Sequence, residues 1–270
     1  MNLPEMLQYG FMQRALMAGV IVGALTAAIG TYVVLRGMAF LGAGISHAAF
    51  GGVALGYYLG LNPSAVAIIF CVLVSWAIAV TGRLTRLKSD VPIGVFFAAT
   101  MSFGAIIINL IKEYNVDLFG YLFGNILAVS KVDLIITASL GVILMFLVFI
   151  FYHQFLYITF DSQMARVSGI PVVAMDMLLL SMISVAIVIS IKVVGIILVS
   201  ALLVAPSATV MGWVRNFKAL MAFSILVGVL SSLGGIVISY YLNTPSGATI
   251  VLLLTLTFLT SSILLKIKKG

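Results

Sequence analysis

Leu41–Gly60, LGAGISHAAFGGVALGYYLG, is the segment around which the rest of the chain is arranged. It is apolar and long enough to cross a bilayer as a helix. Helices in lipid associate through close van der Waals fit, and small residues let neighbouring backbones approach. The segment therefore predicts a transmembrane helix enclosed by other helices. Its small residues include Gly42, Gly44, Ser46, Ala48, Gly51, Gly52 and Gly56.

His47 is the single histidine in this segment. It follows the preceding charge, Arg36, by roughly ten residues or about 15 Å of helix, which is near the middle of a hydrocarbon core about 30 Å thick. An ionisable side chain at that depth is costly unless it faces a protein interior or a watery path. On a helix it shares a face with Ala43, Gly51 and Ala54, which leaves space for the ring.

Two interpretations of His47 stay open on physical grounds. The ring can be a packing residue hydrogen-bonded to a neighbouring helix, or a ligand or relay on a transport path. Neutral imidazole is the commonest transition-metal ligand. One histidine falls short of the four or so ligands of a strong zinc site. A single weak ligand does suit a transit site, which must release what it binds.

The composition identifies a polytopic membrane protein. Of 270 residues, 63% are hydrophobic and only 8% are charged, and the mean hydropathy is +1.30. No soluble domain of this length hides so much apolar surface. The net charge of +7 matches the usual excess of Lys and Arg on cytoplasmic loops better than it matches nucleic-acid binding. Cys71 is the single cysteine, so no disulfide forms within the chain.

Nine apolar runs are long enough to cross a membrane, within one permease domain covering residues 1–270. Residues 1–10 are predicted to form an interfacial segment, and Leu122–Val129 a short helix against the bundle. Joining residues 172–211 into one crossing would reduce the count to eight. The nine predicted spans are 11–35, 38–60, 62–82, 92–112, 132–152, 172–190, 193–211, 217–242 and 247–265.

Basic residues predict the orientation. With the N-terminus outside, ten of the 14 Lys and Arg residues lie on cytoplasmic loops, and the C-terminus is cytoplasmic. This asymmetry favours the orientation over its inverse. The ten are Arg36, Arg83, Arg86, Lys88, Arg166, Arg215, Lys218, Lys266, Lys268 and Lys269.

The longest polar interruption on the predicted cytoplasmic side is Tyr157–Pro171, YITFDSQMARVSGIP. Asp161 or Ser162 can cap a helix there, and Gly169 and Pro171 end it after about two turns. So short a helix is unstable alone. It is either an ordinary amphipathic loop helix or a surface that docks on a cytoplasmic partner.

Pro206 lies inside a predicted span and removes a helix hydrogen bond, which causes a kink. Hydroxyl groups of Ser200, Ser207 and Thr209 are expected to satisfy the freed carbonyls. The kink is either a lipid-facing structural feature or a gating bend. Asn243–Ala248 predicts a tight structural turn.

Sequence motifs for chemistry are absent. The chain has no Gly-x-x-x-x-Gly-Lys loop to hold ATP phosphates and no His-Glu-x-x-His zinc protease motif. It also lacks a nucleophile elbow with a histidine partner. His153, the second histidine, lies at the inner end of the fifth predicted span. We therefore expect no catalytic residues and no enzymatic activity in this chain.

Several blocks together resemble the zinc/manganese family of ABC transporter membrane permeases over nearly the whole chain. The blocks are Phe11–Leu16, Val33–Gly37, Gly44–Ala48 with Gly51–Ala54, Asn115–Leu118, Leu122–Ser130, Phe160–Asp161 with Ala165 and Val167–Gly169, Val194–Gly195 through Ala205–Pro206, and Ser239–Leu242 with Pro245–Gly247.

The resemblance implies an all-α permease with the fold of type II importers such as the vitamin B12 importer. It implies a homodimer in a prokaryotic cell membrane that holds two cytoplasmic ATPase subunits and is fed by an extracytoplasmic metal-binding protein. ATP would bind only at the partner, and the transported metal, zinc first and manganese second, would be cargo rather than a resident cofactor.

The resemblance also assigns residues. In the family an aspartate four residues before the second-span histidine helps form the transit metal site, but that position here is Ala43, so only His47 carries over. The segment 160–170 matches the coupling helix of the family. The residues expected to contact the ATPase are Asp161, Gln163, Met164, Ala165 and Gly169.

Two other classes remain open. A secondary transporter would need charged residues deep in its spans, and besides His47 the chain offers Asp176 near one membrane edge. A permease for a metal chelate or a cobalamin-like cofactor would keep the coupling helix and need a wide path.

Overall fold

The computed structural model describes Met6, residues 8–85, Leu87, residues 90–111 and residues 129–269. Every secondary-structure element in these parts is a helix. In chain order, α1 to α11 are Gly10–Leu35, Phe40–Tyr58, Pro63–Thr85, Asp90–Leu110, Lys131–Ile150, Tyr152–Phe160, Ser162–Val167, Val172–Val194, Ile196–Val210, Phe217–Leu242 and Ser246–Lys269.

Eight of these helices have the length and apolar composition of membrane spans: α1, α2, α3, α4, α5, α8, α10 and α11. The ninth predicted run forms α9, whose 15 residues cover about 22 Å at 1.5 Å per residue. That is shorter than a hydrocarbon core of about 30 Å. Among the described residues, eight helices therefore have the length of a full span, and the ninth predicted run forms a shorter apolar helix.

The run 172–211 is nevertheless not one crossing. Asp176, near the start of α8, pairs with Arg36 just beyond the end of α1. Ser207, near the end of α9, bonds to Thr31, also near the end of α1. Since both ends of the run lie beside the end of α1, α8 and α9 are antiparallel. They join at Gly195, which has a positive φ of 84° that only glycine adopts without strain.

The core forms where α1 meets α9 and α10. Val22, Ile29 and Val33 of α1 are fully buried. The carbonyl of Leu203 on α9 presses against Gly30. A Cβ on Gly23 would lie 2.9 Å from the backbone oxygen of Gly228 on α10. These approaches bring backbones into direct contact, the packing that small residues permit in lipid.

Helix α2 is enclosed as predicted from its small residues. A Cβ on Gly51 would lie 2.8 Å from the Thr100 carbonyl of α4, and one on Gly52 would lie 2.7 Å from Cα of Ala67 on α3. On the α9 side, Ser46 accepts a hydrogen bond from Ser200 at 3.3 Å. Side chains larger than these would push the three neighbouring helices away.

The element ends follow local chemistry. The Ser130 hydroxyl accepts from the Asp133 N–H at 3.1 Å and donates to its carboxylate at 2.6 Å, which begins α5. Asn243, at a left-handed φ of 51°, ends α10. The turn predicted at 243–248 is shorter and covers residues 243–245, since α11 begins at Ser246. Most of the predicted interfacial segment 1–10 and of the helix Leu122–Val129 lies outside the described residues.

Candidate transport site and coupling surface

His47 lies on α2 with its ring half-buried. Its Nδ1 is 2.9 Å from the carbonyl oxygen of Ala43, one turn earlier. A carbonyl only accepts, so Nδ1 donates and the neutral ring keeps its lone pair on Nε2. The ring meets Phe97 of α4 edge-on, with centroids 4.8 Å apart. The geometry fixes the ring orientation and leaves Nε2 as the atom that could bind a cation.

No metal cage is present around this ring within the residues that the structure describes. Nowhere in them do three or more His, Cys, Asp or Glu side chains come together as a metal-binding group. Ala43, at the position of the family aspartate, contributes no side-chain donor. A metal ion beside His47 would therefore meet fewer than three such side chains from the described part of one copy.

The surface beside His47 is only partly covered by its own chain. Ala43 and Phe50 on α2 are half-buried like His47, and Ala98 and Ser102 on α4 are exposed. Gly94 lies on the same face of α4. A Cβ added to it would have no described atom of another helix within 4 Å. We call this surface, formed by Ala43, His47, Phe50, Gly94, Ala98 and Ser102, the His47 face.

The predicted coupling segment forms α7, a helix closed at both ends. The Asp161 carboxylate accepts from the N–H groups of Gln163 at 3.0 Å and Met164 at 2.9 Å, which caps the first turn. At the other end Gly169 has a φ of 82°, and the Ile170 N–H donates to the Ala165 carbonyl at 3.0 Å. That pair of features is a Schellman ending, which gives the six-residue helix a fixed shape.

Exposed apolar side chains lie on α7 and on Phe160 at the end of α6, beside the exposed polar residues Ser162 and Arg166. The exposed fractions are 67% for Phe160, 58% for Met164 and 83% for Val167. Gln163 is exposed beside them, whereas Ala165 is 0% exposed. An exposed apolar cluster with a polar rim is typical of a protein-binding surface. The Ala165 side chain faces the bundle in this chain, and its contact with the ATPase stays a prediction.

Helix α6 holds α7 against the bundle. Phe155 of α6 is fully buried and meets Tyr32 of α1 edge-on, with centroids 5.8 Å apart. Tyr152 packs on Phe217 with centroids 5.6 Å apart, and burial raises the pKa of its phenol. The apolar surface of α7 is thus carried on a rigid base.

Pro206 is buried in α9 rather than turned to lipid. The three hydroxyls expected to satisfy freed carbonyls bond elsewhere. Ser200 donates to Ile196 and Thr209 to Ala205, one turn earlier in each case, while Ser207 pairs with Thr31 at 3.2 Å. The lipid-facing interpretation of the kink is therefore wrong.

Two ion-pair groups at the ends of α8 were missed from the sequence. Asp176 lies between Arg36 at 2.5 Å and Arg83 at 2.6 Å, and Lys192 pairs with Asp133 at 2.6 Å. Each charged partner lies near the end of a predicted span. Opposite charges at the same depth in the membrane were therefore the sequence signal that could have predicted these ion pairs. With two guanidinium groups on it, Asp176 offers no free carboxylate for the ion coupling of a secondary transporter.

Comparison with known sequences gives a match over nearly the whole chain. The sequence model of the ABC 3 transport family matches residues 8–265. The manganese transport system membrane protein MntC of Halalkalibacterium halodurans is 36% identical over 254 residues, which cover 94% of this chain and 87% of that protein. The high-affinity zinc uptake system membrane protein ZnuB of Haemophilus influenzae is 31% identical over 239 residues, 88% of this chain and 91% of that protein.

Comparison with solved structures agrees. PsaBC from Streptococcus pneumoniae, solved in complex with a Fab, contains a chain that superposes with a TM-score of 0.85 at 35% identity. The match covers 96% of this chain and 93% of that one. The all-α, type II importer-like membrane fold expected from the sequence is confirmed.

Proposed function

The chain belongs to the ABC 3 transport family, and we propose that it is the membrane permease subunit of an ATP-driven importer for manganese or zinc ions. The observation that carries this proposal is the end-to-end similarity to permeases named for manganese and for zinc transport. The chain itself is the transport subunit, and a separate partner subunit binds and hydrolyses ATP.

His47 acts as the transient metal ligand through Nε2. The proposal is supported by the donated Nδ1 bond, which holds the ring, and by the placement of the ring beside an incompletely covered face. A single imidazole in each copy binds weakly, which suits an ion that must leave again. Relatives are named for both metals. An uptake experiment in which Mn²⁺ and Zn²⁺ compete would determine which ion this permease prefers.

A second copy of the chain covers the His47 face. Small residues on α4 let another helix approach closely, and Gly94 has open space for it. Two copies related by a two-fold axis would bring two His47 rings toward one path, which a single copy cannot do. A metal-binding protein on the opposite side from α7 delivers the ion.

Cytoplasmic ATPase subunits dock on α7, one on each copy. Phe160, Met164 and Val167 supply the apolar contact, and Gln163 and the Asp161–Gly169 ends shape its rim. ATP binding and hydrolysis at the partner move α7. This movement opens the His47 face alternately to the outside and to the cytoplasm. We place the protein in a prokaryotic cell membrane with α7 and the C-terminus in the cytoplasm, because most basic residues then lie inside.

Pro206 provides a bend in α9 during this movement. It is buried next to Ser207, whose hydroxyl contacts Thr31 of α1, so a change in bend alters the contact between α9 and α1. Pro206→Ala restores the missing backbone hydrogen bond and is expected to slow uptake without loss of thermal stability. Uptake at the wild-type rate would contradict the gating role.

Reconstitution tests the function as a whole. The permease, the ATPase and the binding protein of the same system are combined in proteoliposomes, and uptake of radioactive Mn²⁺ and Zn²⁺ is measured with and without ATP. Uptake that requires both ATP and the ATPase is expected. Uptake without the ATPase would instead indicate a secondary transporter, and uptake of only chelated metal would indicate a chelate permease.

A further inference from the structure

The start of α8 carries a three-residue ion-pair cluster. The two carboxylate oxygens of Asp176 accept from two different helices, Oδ1 from Arg36 at 2.5 Å and Oδ2 from Arg83 at 2.6 Å. Charge-assisted hydrogen bonds of this kind fix geometry as well as adding stability. One side chain therefore sets the position of α8 relative to both α1 and α3.

This cluster differs from an ordinary surface ion pair. The side chains of Arg36 and Asp176 are only 17% and 16% exposed, against 37% for Arg83. They line a cavity of about 250 Å³ whose other walls are largely apolar, with Leu41 and Ile93 among them. Exposed pairs contribute little, but removing one partner of a shielded group leaves uncompensated charge. The three helix ends are thus held in one arrangement.

The cluster is linked directly to α7. Residues 168–171 alone separate the end of α7 from the start of α8 at Val172. The Ile170 N–H is bonded back to Ala165, and Pro171 stiffens the link by fixing its φ. Asp176 lies about one turn into α8. A displacement of α7 must therefore move the end of α8 that carries Asp176.

On the other side the cluster reaches α2. Arg36 follows the end of α1, with its N–H bonded to Tyr32, and only residues 37–39 separate it from the start of α2, the helix that carries His47. Arg83 lies in the last turn of α3, which packs on α2 at Gly52. The helix before α2 and the helix after it are both held to α8 by one carboxylate.

We infer that Asp176 is the positioning residue that transmits movement of α7 to α2 through Arg36 and Arg83. The inference rests on the proposed docking of an ATPase at α7. Without the carboxylate, α8 still moves with α7, but α1 and α3 no longer follow it together. ATP is then hydrolysed without an equivalent opening of the His47 face.

The ratio of metal uptake to ATP hydrolysis, both measured in the same proteoliposomes with Mn²⁺ and loaded binding protein, tests this. Asp176→Asn keeps the shape and removes the charge, and we expect the ratio to fall at least about fivefold, the lower range of couplings between sites. Binding of the ATPase should be unchanged. Asp176→Glu should restore most of the ratio. Asp90→Asn, the same change at an exposed carboxylate at the start of α4, should leave it unchanged.

A wild-type ratio in Asp176→Asn, or an equal loss in Asp90→Asn, would overturn the inference while leaving the proposed function in place. If Asp176→Asn does not assemble, Arg83→Gln replaces it, because Arg83 is the most exposed member of the cluster. A wild-type ratio in Arg83→Gln also overturns the inference. A wild-type complex that takes up no metal would instead contradict the proposed function itself, and this inference with it.

Discussion

The carbonyl oxygen of Leu203 on α9 occupies the space in which a side chain on Gly30 of α1 would begin. No flexible group lies between the two backbones, so neither helix can yield by rotating a side chain. This contact fixes the position of α9 along α1. It thereby also fixes Ser200 of α9 beside Ser46 of α2.

Gly30→Val is therefore expected to destabilise the protein. The added side chain must push α1 and α9 apart, and overpacking of this kind costs about 1–3 kcal/mol. The thermal midpoint of the purified protein in detergent, followed by tryptophan fluorescence, should fall by several degrees. Gly82→Ala is the control, because the one described atom near its ideal Cβ is a Pro92 carbon at an ordinary 3.7 Å. Equal midpoints for the two variants would contradict the backbone contact.

His47→Ala removes the proposed transit ligand. Because Nε2 is the atom left free by the bond to Ala43, we expect uptake of Mn²⁺ and Zn²⁺ to fall at least about tenfold, the equivalent of ~1.4 kcal/mol. Assembly with the ATPase should be unaffected. His153→Ala changes the other histidine of the chain, at the exposed start of α6, and should transport normally. Unchanged uptake kinetics in His47→Ala would remove the ligand role.

Met164→Ser combined with Val167→Ser tests the docking surface on α7. Both side chains are more than half exposed, so truncating them should leave the fold intact. Apolar anchors at the centre of an interface often cost more than 1 kcal/mol when removed, so the dissociation constant for the ATPase should rise at least about fivefold.

The matched control is Met211→Ser. Met211 follows the end of α9 and is 46% exposed, so the change truncates an exposed methionine outside α7, as Met164→Ser does within it. Its affinity for the ATPase should equal that of the wild type. Equal weakening by both changes would show that the effect is general and not due to docking at α7.

Much of this architecture is readable from the sequence because the signals are local. Apolar runs predict spans, the small residues of Leu41–Gly60 predict an enclosed helix, and Asp161 with Gly169 predicts both ends of α7. The same local rules left two interpretations of Pro206 open, because its burial depends on α9 folding back against α1. The 15-residue length of α9 likewise reflects the break at Gly195, and a hydropathy count does not report it.

The candidate site is harder to read than the fold because its contacts are distant in sequence. Arg36 and Asp176 are separated by 140 positions, and neither local sequence indicates which residue the other side chain will pair with. The sequence shows that Ala43 departs from the family pattern, but only the folded helix shows that its carbonyl accepts from His47. Similarly, burial of Ala165 follows from how α6 holds α7 and is invisible in a six-residue helix.

Gly169→Ala separates the shape of α7 from general stability. Gly169 has a φ of 82° with no described atom within 4 Å of an ideal Cβ, so the cost of alanine is backbone strain, about 1–2 kcal/mol. Relieving that strain unwinds the end of α7, and we expect ATP hydrolysis to lose most of its stimulation by loaded binding protein. Gly60→Ala is matched, since Gly60 has a φ of 66° and equally open space but lies in the turn between α2 and α3. It should lower the thermal midpoint similarly and keep the stimulation. Stimulation that survives in Gly169→Ala, at the same loss of stability, would show that the fixed end of α7 is not needed for coupling.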